Sequence, residues 1–344
     1  MENPLKPETS NIPKSRRPVF IVGSARSGNT LLYHTLLSAG GFPIYLAEPA
    51  VFDLLAPKFG NLSLLRNRRK LMKVWLRSHM YAASGLNSDH ITNKIVSECK
   101  GSGDFLRILM NEIARSQDAN RWAVWGPDNL LYMEMIKKEI PDALFIHMIR
   151  DGRDVAVSMN KEGWIRPFPW DKSRRLLVAA LHWHWKVRRG RELGRQIPPD
   201  YLEVRFENLV TEYRQTLLVV SEFIGQDLEY KRIQNAGFGV LREPNSSFKS
   251  GRGSEYGPVG RWKNVLSAEE IADLESLIGP LLNSLGYQLA ASKPFPPTLE
   301  QRIMTLLYPS YFDAKQWFKL HTPLRKLVRI GRLRLKAELP QRAQ

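Results

Sequence analysis

Val19-Phe-Ile-Val-Gly-Ser-Ala-Arg-Ser-Gly-Asn-Thr-Leu-Leu32 runs from an apolar tetrapeptide through a loop of small residues into a second apolar segment. Val19 to Val22 have strand composition, and Gly23 stops them. Thr30 opens a segment with helical periodicity. Strand, loop and helix in that order aim backbone N–H groups and the positive end of a helix dipole at an anion. Gly23, Gly28 and Thr30 stand where the glycines and hydroxyl of a GxxxxGK[ST] loop stand, but Asn29 occupies the lysine position. Such a loop, formed by Gly23, Ser24, Arg26, Ser27, Gly28, Asn29 and Thr30, is suited to a phosphate and poorly equipped for a triphosphate.

A second apolar run, Ala143-Leu-Phe-Ile-His-Met-Ile149, ends in Arg150-Asp-Gly-Arg-Asp-Val-Ala-Val-Ser158. Asp151 is a good N-cap type, and a helix is expected to follow. Arg150 and Ser158 are the candidates for a second phosphate, arginine being suited to fixed bidentate contact. Two phosphate sites at two strand ends imply a nucleotide phosphorylated at two separate positions.

These two stretches resemble the PAPS-dependent sulfotransferases. Residues 23–30 look like that family's 5′-phosphosulfate loop, and residues 145–158 like its 3′-phosphate strand and helix. Glu203-Val-Arg-Phe-Glu-Asn-Leu209 is similar to the family's "RYExL" strand end, with Phe206 in place of tyrosine. Gly260-Arg-Trp-Lys-Asn264 is similar to its late "GxWK" segment, which contributes Trp262 and Lys263. The resemblance spans about residues 18–288 and implies PAPS as sulfuryl donor, 3′,5′-ADP as product, and no metal. It also implies a general base at Glu48, in Tyr45-Leu-Ala-Glu-Pro49, with Asp53 in reserve, and a sulfuryl contact from Arg26. The plain alternative for Glu48 is an acid at a helix N-terminus. The chain departs from the pattern at Val124-Trp-Gly-Pro127, where many relatives carry Lys-Thr-Pro.

With 344 residues, 43% hydrophobic and 25% charged, the chain fits a globular α/β protein. Alternating strands and helices predict one P-loop-like domain at 18–290, with a mainly parallel sheet flanked by helices. A disordered segment is expected at 1–17 and a helical, basic extension at 291–344. A short strand is expected at 43–46 and a Gly/Ser-rich flap at 242–258, where Lys249 and Arg252 join Lys263 as candidates to close over the cofactor. The single cysteine, Cys99, fits a reducing compartment, and neither a signal peptide nor a transmembrane run is evident. A cytoplasmic setting is therefore expected.

The net charge of +17 speaks about partners. Lys58 to Arg77 holds seven basic residues and no acid. Nucleic-acid recognition motifs are not visible, so nucleic acid is set aside as a partner. A basic tail at 321–344 suggests a peripheral contact with an anionic membrane. The rival readings are a P-loop kinase and a non-catalytic protein binding nucleic acid or anionic lipid. His182, Trp183, His184 and Trp185 alternate in a predicted helix; Trp185 is assigned to the core and the histidines to the surface rather than to a metal. Trp262 and Phe206 read equally as adenine-stacking or core residues. The acceptor, a hydroxyl or amine of a sugar, lipid or small molecule, has no signature here.

Overall fold

The computed structural model describes residues 12–163, 175–242, 257–290 and 298–322. Four strands, β1 (Val19–Gly23), β2 (Ala123–Trp125), β3 (Leu144–Ile149) and β4 (Tyr201–Arg205), form one parallel sheet in the order β2-β1-β3-β4. β1 and β3 are buried along their whole length, as continuous apolar runs in a central parallel sheet must be. Their side chains alternate between two cores. Phe20, Val22 and Phe145 face one, and Val19, Ile21, Ile146 and Met148 face the other. β4 lies at the edge and is half-buried.

The register decides where the site lies. Gly23 is level with Met148, and Ile149 with Arg205. The carboxyl ends of β1, β3 and β4 therefore share one rim, and their loops converge there.

The helices used below are α1 (Asn29–Ala39), α2 (Leu65–Trp75), α3 (Gly152–Glu162), α4 (Arg175–Gly194), α5 (Phe206–Thr211), α6 (Ala268–Ser284) and α7 (Leu299–His321). α2 takes up much of the Lys58–Arg77 charge. Its Leu71, Met72 and Trp75 turn inward, while Arg66, Arg69, Lys70 and Lys73 face outward. α3 packs closely on α4 because residue 152 is glycine. A Cβ there would sit 2.5 Å from the Trp183 ring.

The strand expected at 43–46 is extended loop instead. The Gln117 side chain takes the neighbouring strand's role: its Oε1 accepts from Ile44 N at 2.8 Å and its Nε2 donates to Ile44 O. The histidines of α4 are half-buried and not fully at the surface. His182 packs on Trp185 and Phe312, and burial lowers its pKa to about 3. Burial lowers His184 as well. The helix α7 supplies Phe312, a long-range contact that local sequence does not reveal.

Of the segment 1–17, residues 12–17 are described. Lys14–Arg16 form a 3₁₀ turn, and buried Arg17 donates to Asp200 and to Asp142 O. Most of the 242–258 flap, with Lys249 and Arg252, lies outside the described residues, as does 323–344.

Candidate active site

The loop after β1 wraps a helix N-terminus that no side chain caps. Gly28 takes φ 90, and a Cβ on it would lie 2.4 Å from the Phe206 ring, so neither its conformation nor its space admits a side chain. Asn29 Nδ2 donates to Ser24 O at 2.9 Å. The residue at the lysine position thus closes the loop on itself. Arg26 has φ 68, an unusual value for a non-glycine residue, held by contacts on both sides. Its carbonyl accepts from Arg150 Nη1 at 3.0 Å, and its Nε donates to Ser158 Oγ at 2.8 Å.

These bonds join the loop after β1 and the segment from Arg150 to Ser158 into one cluster. Arg150 leaves β3 and stacks over Phe206, its guanidinium carbon 4.4 Å from the ring centroid. Its Nη2 donates to Pro258 O at 2.6 Å. Asp154, one turn along α3, lies 3.6 Å from Arg150 and accepts from Gly260 N at 2.8 Å and Trp262 N at 3.0 Å. This carboxylate ties the late turn at 258–262 to the β3 rim. Burial pushes its pKa up, against the pull of Arg150. Burial likewise pulls Arg150 down, although an arginine remains protonated at neutral pH.

The cluster borders a cavity of about 590 Å³, within the range of ligand pockets. Arg26, Thr30, Glu48, Arg150, Ser158 and Phe206 line it, together with Gly28 and Asn29. Gly23, Ser24 and Ser27 form the loop behind the lining, and the Ser24 and Ser27 hydroxyls are buried without a partner. Glu48 reaches the cavity from the extended segment after Tyr45. Tyr33 OH donates to Tyr45 O at 2.6 Å, and Tyr45 OH to Met80 O at 3.2 Å, pinning that segment. Asp53 is buried and is not among the lining residues.

Trp262 and Lys263 do not reach the cavity. Trp262 is buried beneath the Arg153 guanidinium, 3.8 Å above its ring, and Lys263 is exposed. From the same motif it is Arg261, with Pro258, that lines the cavity. Arg153 is turned into the core, where it pairs with Asp151 and Glu275. Within Arg150-Asp-Gly-Arg-Asp154 only the first arginine serves the cavity. Each arginine is followed directly by an aspartate, so the local sequence does not tell the two apart.

The lining also contains Asp128, which sequence reasoning did not select. Buried Lys186 of α4 donates to it and, at 3.2 Å, to Pro127 O. The Lys186 ammonium holds the Asp128 carboxyl well below the usual carboxylate range. A carboxylate so held is a poor proton acceptor. A second wall is apolar, built from Leu209, the last residue of the Glu203–Leu209 motif, and from Val210, Tyr213, Val240 and Leu241, for which no local motif gave a signal. Among the described residues no group of three or more His, Cys, Asp or Glu side chains is arranged to hold a metal.

A parallel sheet with a glycine loop and an uncapped helix start at the rim of β1 and an arginine at the rim of β3 defines an α/β protein of the P-loop-like class. The model of the "Sulfotransferase family" matches residues 18–230, and the chain belongs to that family. The chain is 22% identical over 226 residues to a Caenorhabditis elegans protein named "Putative protein-tyrosine sulfotransferase", covering 64% of this chain and 86% of that one. Its fold is similar to the sulfotransferase domain of the Synechococcus PCC 7002 olefin synthase, with TM-score 0.54 and 18% identity over 83% of this chain and 98% of the domain. It is also similar to the sulfotransferase domain of the curacin biosynthetic pathway, with TM-score 0.51 and 16% identity over 81% of this chain and 100% of that domain. The chain is therefore a transferase of the sulfotransferase family.

Proposed function

We propose that this chain transfers a sulfuryl group from PAPS to a hydroxyl or amine acceptor. The observation that supports the reading is the chain of contacts from Arg150 through Arg26 to Ser158, by which the glycine loop after β1 and the Arg150 guanidinium border one cavity. The residues fit a nucleotide bearing two separate anionic groups. The uncapped start of α1, with the buried loop hydroxyls behind it, suits the 5′ end. Arg150 and Ser158 suit the 3′-phosphate, with Arg261 beside them. The apolar wall from Leu209 to Leu241 suits a base.

PAPS supplies an activated sulfuryl group when bound. The chain's own residues do the rest. The loop N–H groups and Arg26 face the charge that gathers on the transferred group and the departing phosphate. Glu48 takes the acceptor proton, because Asp128, the other carboxylate of the cavity, is held ionised by Lys186. Arg26 and the loop amides stand in for the lysine that Trp125 replaces in the Lys-Thr-Pro pattern. The reading further assigns a cytoplasmic setting, for which a single buried thiol, Cys99, is the support.

Thermal stabilisation by a ligand panel tests the reading. Stabilisation by 3′,5′-ADP, and not by ATP with Mg²⁺ or a short oligonucleotide, is expected. Stabilisation by ATP with Mg²⁺ alone favours the kinase reading, and by the oligonucleotide alone a nucleic-acid-binding one.

A further inference from the structure

The helix α7 is apolar on two opposite faces. Gln301, Met304, Tyr308 and Phe312 are buried, and the last three pack with α4 and α6. Leu299, Ile303, Leu306, Leu307, Trp317 and Phe318 lie on the other side, each between 47% and 76% exposed. At about 100° per residue all six fall in a stripe of about a third of the circumference, the first four in the opening turns and the last two near the end of a helix of 23 residues, about 34 Å long. Single exposed apolar residues are ordinary, but six along one helix face mark a binding surface.

The flanking charge selects the occupant. Residues 323–336, which follow α7 directly, contain Arg325, Lys326, Arg329, Arg332, Arg334 and Lys336 and no acid. Trp317 and Phe318 stand at that end of the stripe, next to Lys319. Aromatic side chains and adjoining cations suit the boundary between acyl chains and anionic headgroups. Of the two acids on the helix, Glu300 sits in its first turn, at the end away from the basic segment, and Asp313 accepts from Trp185 Nε1 at 3.0 Å and lies 3.8 Å from Arg189. Among the described residues no helix is long and apolar enough to cross a membrane, so the arrangement suits lying on a surface. We infer that the exposed face of α7 docks on an anionic lipid membrane. This inference does not depend on the sulfuryl-transfer reading.

The test is cosedimentation of the full chain with vesicles of phosphatidylcholine alone or with added phosphatidylserine. Binding only to the phosphatidylserine vesicles is expected, weakening as salt is raised. Leu306→Glu with Trp317→Glu should lower the bound fraction about tenfold while leaving circular dichroism and the melting temperature unchanged, because both positions are exposed. Three results overturn the proposal. They are equal binding to both vesicle types, phosphatidylserine binding that the double variant retains in full, and a dimer in lipid-free light scattering that the double variant abolishes. The last would show that a second copy of the chain covers this face.

Discussion

Arg26 Nε donates to Ser158 Oγ at 2.8 Å across 132 residues of sequence, tying the loop after β1 to the middle of α3. The bond orients a guanidinium in the cavity at the expense of a strained backbone, φ 68 at a side-chain-bearing residue. Arg26→Gly removes the guanidinium and the strain together, whereas Arg26→Ala removes only the guanidinium. Both should lower turnover about 10²–10³-fold, as expected when a charge-stabilising group is lost. In urea unfolding the glycine variant should be more stable than the alanine variant by about 1 kcal/mol. Equal stabilities would show that the left-handed backbone carries no strain.

Glu48→Gln keeps the size and most of the hydrogen bonding of the side chain but cannot take a proton. Turnover should fall about 10²–10⁴-fold while nucleotide affinity is kept. Near-normal turnover by the variant, measured with a confirmed acceptor, would move the proton to another acceptor. Asp128→Asn serves as the control. It leaves Lys186 buried without its carboxylate, so the variant should lose stability.

Trp262 tests the placement of the late motif. Buried beneath Arg153, it should behave as a core residue, so Trp262→Ala should destabilise the chain by about 3–5 kcal/mol. The fraction that remains folded should bind nucleotide as the parent does. A large loss of affinity at unchanged stability would put the indole in contact with the ligand instead.

Buried histidines make stability depend on pH. His34 Nδ1 accepts from Val240 N at 3.0 Å, and burial lowers its pKa from 6.5 to about 4. Between those values the unfolded chain binds a proton that the folded chain does not. Stability should therefore fall as pH drops from 6.5 toward 4, by up to about 3 kcal/mol from this residue, and level off below. His34→Asn keeps an acceptor for Val240 and should flatten this part of the profile in urea titrations. A variant with the parent's profile would place the pH dependence elsewhere, His147 being the next candidate.

Much of this architecture was legible in the sequence because its signals are local. An apolar run stopped by Gly23 and a helix opened after Gly28 need only neighbouring residues, and α1 begins at Asn29, next to the Thr30 that opens the periodic segment. Arg150 announced itself by leaving a strand. What could not be read depends on distant partners. The 43–46 segment has strand composition, but its hydrogen bonds are supplied by the Gln117 side chain. His182 alternates like a surface residue until α7 brings Phe312 against it. Asp128 gains its character from Lys186, 58 residues away. The second arginine of Arg150-Asp-Gly-Arg153 looks like the first in sequence and ends in the core with Glu275.

The central claim is that one cavity binds a nucleotide with phosphates at two positions. Calorimetry with 3′,5′-ADP and 5′-AMP addresses it directly. The account predicts that 3′,5′-ADP binds more tightly by about 1.5–3 kcal/mol, the worth of a charge-assisted contact, and that Arg150→Ala abolishes the difference without unfolding the chain. Equal affinities for the two nucleotides in the parent protein would contradict it.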